Sequence, residues 1–366
     1  MRILVLHLHD GDFQMGGADK GVLALSLALQ AIAGNELRIL TNAGPFAETA
    51  RKQGLNVVEI PHQRILFFLM LQTIRAEVSR FRPDLFHSHH RFTTFLLDLF
   101  MKGKGVPILH TQRVQTRDKR FWFRFGDYMT TVSESLRRHM ISFYHVPEKR
   151  IRAVVNAVAC RTPDQKAVET LRQKFPRKEG ELFALCAGRF HEQKGHAYLI
   201  EAVDKMDAAL RNRVRIFLAG DGPLEQALKK KIEEKNLQAN FVFTGYLEDI
   251  SDYLELCDFL ILPSLWEGLP RTILESFSLG RPVIATNIPG TADVLEHQKN
   301  GWLVPPARAE ELSSAIRYFI EHPQELVKMR EGAKESSAKY SFETMVRHYQ
   351  ELYGELIQEF SKAGCK

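Results

Sequence analysis

A chain of 366 residues with 45% hydrophobic and 26% charged content describes an ordinary soluble globular protein, long enough for two domains. Four scattered cysteines (Cys160, Cys186, Cys257, Cys365) form no C-x-x-C pair, which argues against a disulfide framework or a zinc site and for a reducing compartment. The net charge of +6 is uneven: residues 1–160 hold 22 Lys and Arg against 13 Asp and Glu, and the remainder 28 against 31. A basic first half suits an anionic partner, whether nucleic acid, an anionic membrane surface or an anionic substrate.

The opening Met1-Arg2-Ile3-Leu4-Val5-Leu6-His7 lacks the long apolar core and cleavage site of a signal peptide and reads as a first strand, residues 3–8. Asp10-Gly11-Asp12-Phe13-Gln14-Met15-Gly16-Gly17 then leads into an Ala- and Leu-rich helix at 21–33. Adjacent glycines let such a loop approach a ligand, and a helix start favours anions. Strands follow near 37–41, 57–60, 85–88, 108–111, 128–132 and 151–155. Arg64-Ile65-Leu66-Phe67-Phe68-Leu69-Met70-Leu71 is strongly apolar and is followed by Arg75, Arg80 and Arg82. Pro83-Asp84-Leu85-Phe86-His87-Ser88-His89-His90 ends a strand in a histidine cluster, and His110 ends the next. From Arg113 to Arg138, the cations Arg113, Arg117, Lys119, Arg120, Arg124, Arg137 and Arg138 surround Phe121, Trp122, Phe123 and Phe125.

The second half repeats the alternation, with strands near 182–187, 215–219, 241–244, 259–262, 283–285 and 302–304. Strands alternating with helices predict an α/β fold, two doubly wound domains in tandem joined near 156–164. The last helical stretch, residues 342–360, has one apolar stripe through Met345, Tyr349, Leu352, Tyr353 and Leu356. No apolar run reaches the roughly 18 residues a bilayer span needs, so a cytoplasmic protein is expected.

Two segments of the second half carry chemistry. Ala187-Gly188-Arg189-Phe190-His191-Glu192-Gln193-Lys194-Gly195 joins a strand to a helix. Arg189 there can grip phosphate oxygens bidentately, Lys194 is a compact charge, and Gly195 permits close backbone approach. In Pro263-Ser264-Leu265-Trp266-Glu267-Gly268-Leu269-Pro270-Arg271-Thr272-Ile273-Leu274-Glu275, one acid sits on a strand-to-helix loop and the other inside the helix. The loop lacks side-chain bulk at Gly268, and the helix start offers unpaired N–H groups.

In this order the two segments resemble the G-R-x-x-x-x-K-G diphosphate loop and the spaced-acid signature of retaining glycosyltransferases of the GT-B fold, family 4. Other segments are similar to that family: the Gly16-Gly17 loop, the D-x-x-H-x-H ending in His89, Gly220-Asp221-Gly222-Pro223, and Phe243-Thr244-Gly245-Tyr246-Leu247. Val154-Val155-Asn156-Ala157-Val158 resembles the interdomain V-x-N-G-V, with Ala157 for Gly. Asn287-Ile288-Pro289-Gly290-Thr291-Ala292-Asp293 departs from G-G-x-x-E at Pro289 and Asp293, which weakens any role carried over to that loop.

The resemblance implies two Rossmann-like domains facing a cleft: an acceptor-side domain at 1–160, with the helix at 342–366 packing back on it, and a nucleotide-sugar domain at 161–341. It implies His89, Arg189, Lys194 and Glu267 as catalytic. Gly16, Gly17, Gly188 and Gly220 line the donor site, backbone near Leu247 pairs with the base edge, and Tyr246 either stacks there or simply packs. Gly268, Leu269, Pro270, Arg271 and Thr272 hold sugar and phosphate, and Glu275 takes the ribose. His87 is read as supporting His89, with His110 a weaker candidate. Neither a cofactor nor a metal is implied. Asp10-x-Asp12 imitates the D-x-D of the other great glycosyltransferase fold, but there that motif lies deep in the domain.

The expected reaction is transfer with retention from a nucleotide sugar to an acceptor hydroxyl. Basic residues interleaved with aromatics suit an anionic bilayer surface, hence peripheral attachment and a lipid-linked or envelope-glycolipid acceptor. The opposing reading makes Phe67, Phe68, Trp122 and Phe123 core and the cations a solvated rim. A nucleotide-sugar epimerase, a phosphorylase of this architecture, and a basic nucleic-acid-binding protein are the competing functions. No nucleic-acid motif appears in the chain, so nucleic acid is not an expected partner.

Overall fold

The computed structural model describes residues 1–9, 15–61, 67–114, 124–155, 157 and 162–363. Asp10 to Gln14, Arg64, Ile65, Leu66, Arg117, Lys119, Arg120, Phe121, Trp122, Phe123, Asn156, Val158, Cys160 and Cys365 lie outside the described residues, as does the side chain of Phe67. The chain divides into two units, Met1–Ala157 with Phe342–Lys366, and Val158–Ser341.

In the first unit β1 (Arg2–Leu6), α1 (Gly17–Ala31), β2 (Glu36–Thr41), α2 (Pro45–Lys52), β3 (Asn56–Glu59), α3 (Phe67–Phe81), β4 (Leu85–Ser88), α4 (Arg91–Phe100), β5 (Ile108–Gln112), β6 (Tyr128–Thr131), α5 (Glu134–Tyr144) and β7 (Ile151–Ala153) follow one another. The strands form one parallel sheet in the order β3-β2-β1-β4-β5-β6-β7. Its central strands β1, β4 and β5 are buried almost without alternation because helices cover both faces. Ile3, Leu4, Val5 and Leu6 are all buried. The order reverses between β1 and β4, whose register pairs Leu6 with Ser88. The residues that follow, His7 and His89, thus emerge side by side at the switch point, where open α/β sheets bind ligands.

The second unit runs α6 (Gln165–Lys174), β8 (Leu182–Ala187), α7 (His196–Asp204), α8 (Ala208–Arg211), β9 (Val214–Ala219), α9 (Glu225–Glu234), β10 (Phe241–Gly245), α10 (Ser251–Leu256), β11 (Phe259–Leu262), α11 (Arg271–Ser278), β12 (Val283–Thr286), β13 (Gly301–Val304), α12 (Ala309–Glu321) and α13 (Pro323–Lys339). Its parallel sheet has the order β10-β9-β8-β11-β12-β13, reversing between β8 and β11. The loops after those two strands carry the cations and acids singled out in the sequence.

The chain ends in α14 (Phe342–Ala363), whose stripe returns to the first unit. Met345, Tyr349, Leu352, Tyr353 and Leu356 are buried in one core with Ile3, Val5, Val22 and Leu25. At about 1.5–3 kcal/mol for each large apolar side chain removed from water, this stripe is a main reason the helix docks there.

Candidate active site

In the second unit, the loop after β8 is built to bring backbone against backbone. Gly195 has φ +65, and a methyl there would stand 2.0 Å from Pro263 O, so only glycine allows the two switch-point loops to touch. Leu265 N donates to Gln193 O at 2.7 Å, and Gln193 Nε2 donates to Trp266 O at 2.9 Å. These bonds hold Lys194, at the end of a short 3₁₀ turn, where its ammonium pairs with Glu267 Oε1. Ser264 Oγ donates to the same oxygen at 2.9 Å. Glu267 is only 8% exposed, so this pairing offsets the cost of burying its charge.

Glycines complete the floor. A methyl at Gly220 would meet Gly188 O at 2.1 Å, and the stem of Lys194 lies over Gly188. Gly290, at φ +91, is pressed on Gly268 O, which brings the 287–293 loop against the Glu267 loop despite Pro289. Helix α11 begins at Arg271 behind Pro270 with no side-chain cap, so its positive end faces the loop. There Thr272 Oγ1 is buried without a hydrogen-bond partner. Arg271 and Glu275 lie one turn apart with Nη2 and an acid oxygen 3.8 Å from each other. Leu269 and Pro270 are buried, Arg189 and Tyr246 exposed, and Leu247 partly buried. Gly188, Lys194, Gly220, Glu267 and Gly268 are thus brought together. Tyr246 and Leu247 follow the neighbouring strand β10, and Gly16, Gly17 and His89 belong to the other unit.

There the switch point holds more than sequence reading found. His7 Nε2 lies 2.7 Å from Asp19 Oδ1, and His9 Nδ1 lies 3.1 Å from Asp19 Oδ2, which also accepts from Gly16 N at 2.8 Å. Asp19 thereby shapes the Gly16-Gly17 turn at the start of α1. Burial raises its carboxyl, but the bonds from His7 and Gly16 leave it below its usual value. Burial lowers His7, with Asp19 pulling the other way. His89 is 8% exposed, and its Nδ1 lies 3.4 Å from Arg113 Nη2. Burial holds His89 and His87 well below the ordinary imidazole range, so both are neutral near pH 7. His110 is a satisfied core residue, bonded to Thr94 and Gln112 and lowered to about 4 by burial. The overlooked signal was the repeated H-x-H, His7-x-His9 and His87-x-His89, at the ends of two adjoining strands. Among the described residues no three His, Cys, Asp or Glu side chains are grouped to hold a metal ion, and no helix is long and apolar enough to cross a membrane.

Two doubly wound parallel sheets, the second with a cation–acid site at its switch point, define the class: a GT-B glycosyltransferase. The family model of glycosyl transferases group 1 matches residues 167–336, and that of glycosyltransferase family 4 matches residues 15–161. The chain belongs to these glycosyltransferases and is an enzyme of that class. It is 31% identical to the α-D-kanosaminyltransferase of Streptomyces kanamyceticus over 47% of this chain, and spans only 45% of that relative. It is 22% identical to the N-acetyl-α-D-glucosaminyl L-malate synthase of Bacillus anthracis over 94% of this chain and 95% of the other. Among solved structures, HepE of Anabaena in complex with UDP has a TM-score of 0.83 at 19% identity, covering 97% of this chain and 100% of its own. That likeness concerns the fold.

Proposed function

We propose that this glycosyltransferase uses a nucleotide-sugar donor, retains the anomeric configuration and needs no metal ion. The observation that carries the reading is the Lys194–Glu267 pair beside Gly188 and the uncapped start of α11. A departing nucleoside diphosphate requires positive charge and hydrogen-bond donors: Arg189 and Lys194 supply the charge, and the start of α11 and the Thr272 hydroxyl the donors. Such a set makes a metal redundant for the leaving group. Glu267 Oε1 is already engaged by Lys194 and Ser264, which makes it a poor covalent nucleophile. Same-face attack follows, with the acceptor proton passing to the leaving phosphate oxygen as the new glycosidic bond forms. Glu267 then orients the sugar, Glu275 the ribose, and the backbone near Leu247 the base. The bound UDP of HepE is in keeping with this assignment.

A thermal-shift panel of UDP, GDP, ADP and their sugar conjugates tests the reading. A donor at a hundredfold excess over its Kd should add about 2.7 kcal/mol of stability. Glu275→Ala should weaken nucleoside diphosphate binding about tenfold or more, since it removes bonds to a charged acceptor. Glu267→Ala releases Lys194, so it should spare that affinity and damage turnover instead. Equal losses of affinity in both variants overturn the division of roles.

For the acceptor we infer a lipid-linked or envelope-glycolipid hydroxyl compound, bound by the first unit, with the enzyme attached peripherally to the inner face of the cytoplasmic membrane. What supports this is α3, where Phe68 is 77% and Leu69 48% exposed on a helix that also carries Arg75 and Arg80, with Arg82 just past its end. On α4, Leu99 is 60% exposed. Apolar side chains that insert and cations that meet headgroups are what an anionic bilayer surface selects. Co-sedimentation with phosphatidylglycerol-containing vesicles should fall as salt rises, and neutral vesicles should bind little. Binding that is absent, or indifferent to salt, leaves a soluble acceptor.

A further inference from the structure

Helix α14 carries a hydroxyl into the histidine cluster of the first unit. Tyr353 is fully buried, and its hydroxyl lies 2.6 Å from His87 Nδ1, a partner 266 positions earlier in the chain. Burial holds this phenol well above its ordinary value and His87 well below its own. The phenol therefore keeps its proton and donates it, and a neutral His87 accepts at Nδ1. The single ring proton of His87 then sits on Nε2, which lies 2.7 Å from Thr111 Oγ1. The ring is held at both nitrogens.

Against this fixed ring lies His89, with 3.9 Å between ring centroids and planes tilted by 47°. Arg113 Nη2 approaches the Nδ1 of His89 at 3.4 Å. A guanidinium can only donate, so His89 accepts at Nδ1 and carries its proton on Nε2. We propose that Tyr353 is a positioning residue for glycosyl transfer: by fixing the orientation and tautomer of His87 it fixes the ring of His89, which presents its Nε2–H to a sugar hydroxyl at the switch point of the first sheet. This rests on the activity proposed above and on the catalytic role that the family resemblance implies for His89. The sugar hydroxyl can belong to the donor or to the acceptor, and the two differ in what they predict.

The test uses the full-length protein with Tyr353→Phe, which removes one oxygen and keeps the ring. Tyr349→Phe is the control, because that hydroxyl makes only the longer contacts of 3.4 and 3.5 Å to Thr111 and Thr130. Nuclear magnetic resonance of the protein labelled with 15N-histidine reads the tautomers directly. In the unaltered protein His87 and His89 should both carry the proton on Nε2. Tyr353→Phe should shift both signals, and Tyr349→Phe should leave them in place.

Release of nucleoside diphosphate from the UDP-, GDP- and ADP-sugar panel should fall about tenfold in Tyr353→Phe, with affinity for the nucleoside diphosphate itself within about twofold. In a His89→Gln background the same change should add no further loss, since both would act through one ring. If the hydroxyl is the donor's, hydrolysis without acceptor falls as well; if it is the acceptor's, only transfer falls. Unmoved His89 signals, multiplying losses, or a matching drop in nucleoside diphosphate affinity overturn the proposal. Should the unaltered protein turn over no sugar nucleotide, the activity reading fails, and the tautomer measurement still decides what Tyr353 does to His89.

Discussion

Lys194→Ala is expected to lower turnover about 10²- to 10³-fold, the usual consequence of removing one preorganised donor from a developing negative charge. The same change should also reduce stability, because Glu267 is buried and loses its cation, keeping only Ser264 at that oxygen. The two effects are separable. Adding Glu267→Gln removes the stranded charge, so the double variant should recover thermal stability and remain inactive. Arg189→Ala, by contrast, changes an exposed side chain and should weaken turnover with the fold intact. Melting temperatures and initial rates for the four proteins decide the matter. Near-normal turnover in Lys194→Ala or Arg189→Ala would show that the residue replaced does not grip the leaving group.

How much of this was legible beforehand depends on range. The strands were readable because a parallel sheet covered on both faces needs apolar runs such as Ile3-Leu4-Val5-Leu6 and Phe259-Leu260-Ile261-Leu262. The loops of the second unit were readable because cations and acids stand at short, ordered spacings. The pairing of Lys194 with Glu267 was not, since it depends on β8 and β11 lying side by side, 73 positions apart. His7 went unread because the register of β1 against β4 sets it beside His89, and Asp19 because its bonds to His7, His9 and Gly16 give it meaning. Tyr353 looked like one more apolar residue on a stripe, and only its hydroxyl distinguishes it from packing. Phe68 could be argued either way from its neighbours. A helix face turns in or out according to what the rest of the chain lays over it, and α3 leaves Phe68 outside.

Gly195→Ala should destroy the site by unfolding it locally, at a cost of about 3 kcal/mol or more. Two terms contribute. An L-residue in the left-handed region costs about 1–2 kcal/mol by itself, and Gly195 stands at φ +65, ψ 19. The added methyl would also meet Pro263 O at 2.0 Å, a backbone atom that no rotamer change can move. Relief requires the two switch-point loops to part, which breaks the bond from Leu265 N to Gln193 O and draws Lys194 away from Glu267. Gly180→Ala separates the terms within the same unit. Its φ of +68 carries the same strain, yet its methyl would meet only the flexible Arg213 side chain, at 3.5 Å. That variant should lose about 1–2 kcal/mol and keep nucleoside diphosphate binding, whereas Gly195→Ala should lose both stability and binding. Thermal unfolding and binding measured on the two proteins give the answer. If Gly195→Ala melts with Gly180→Ala and still binds, backbone contact between the loops is not what holds the diphosphate site in shape.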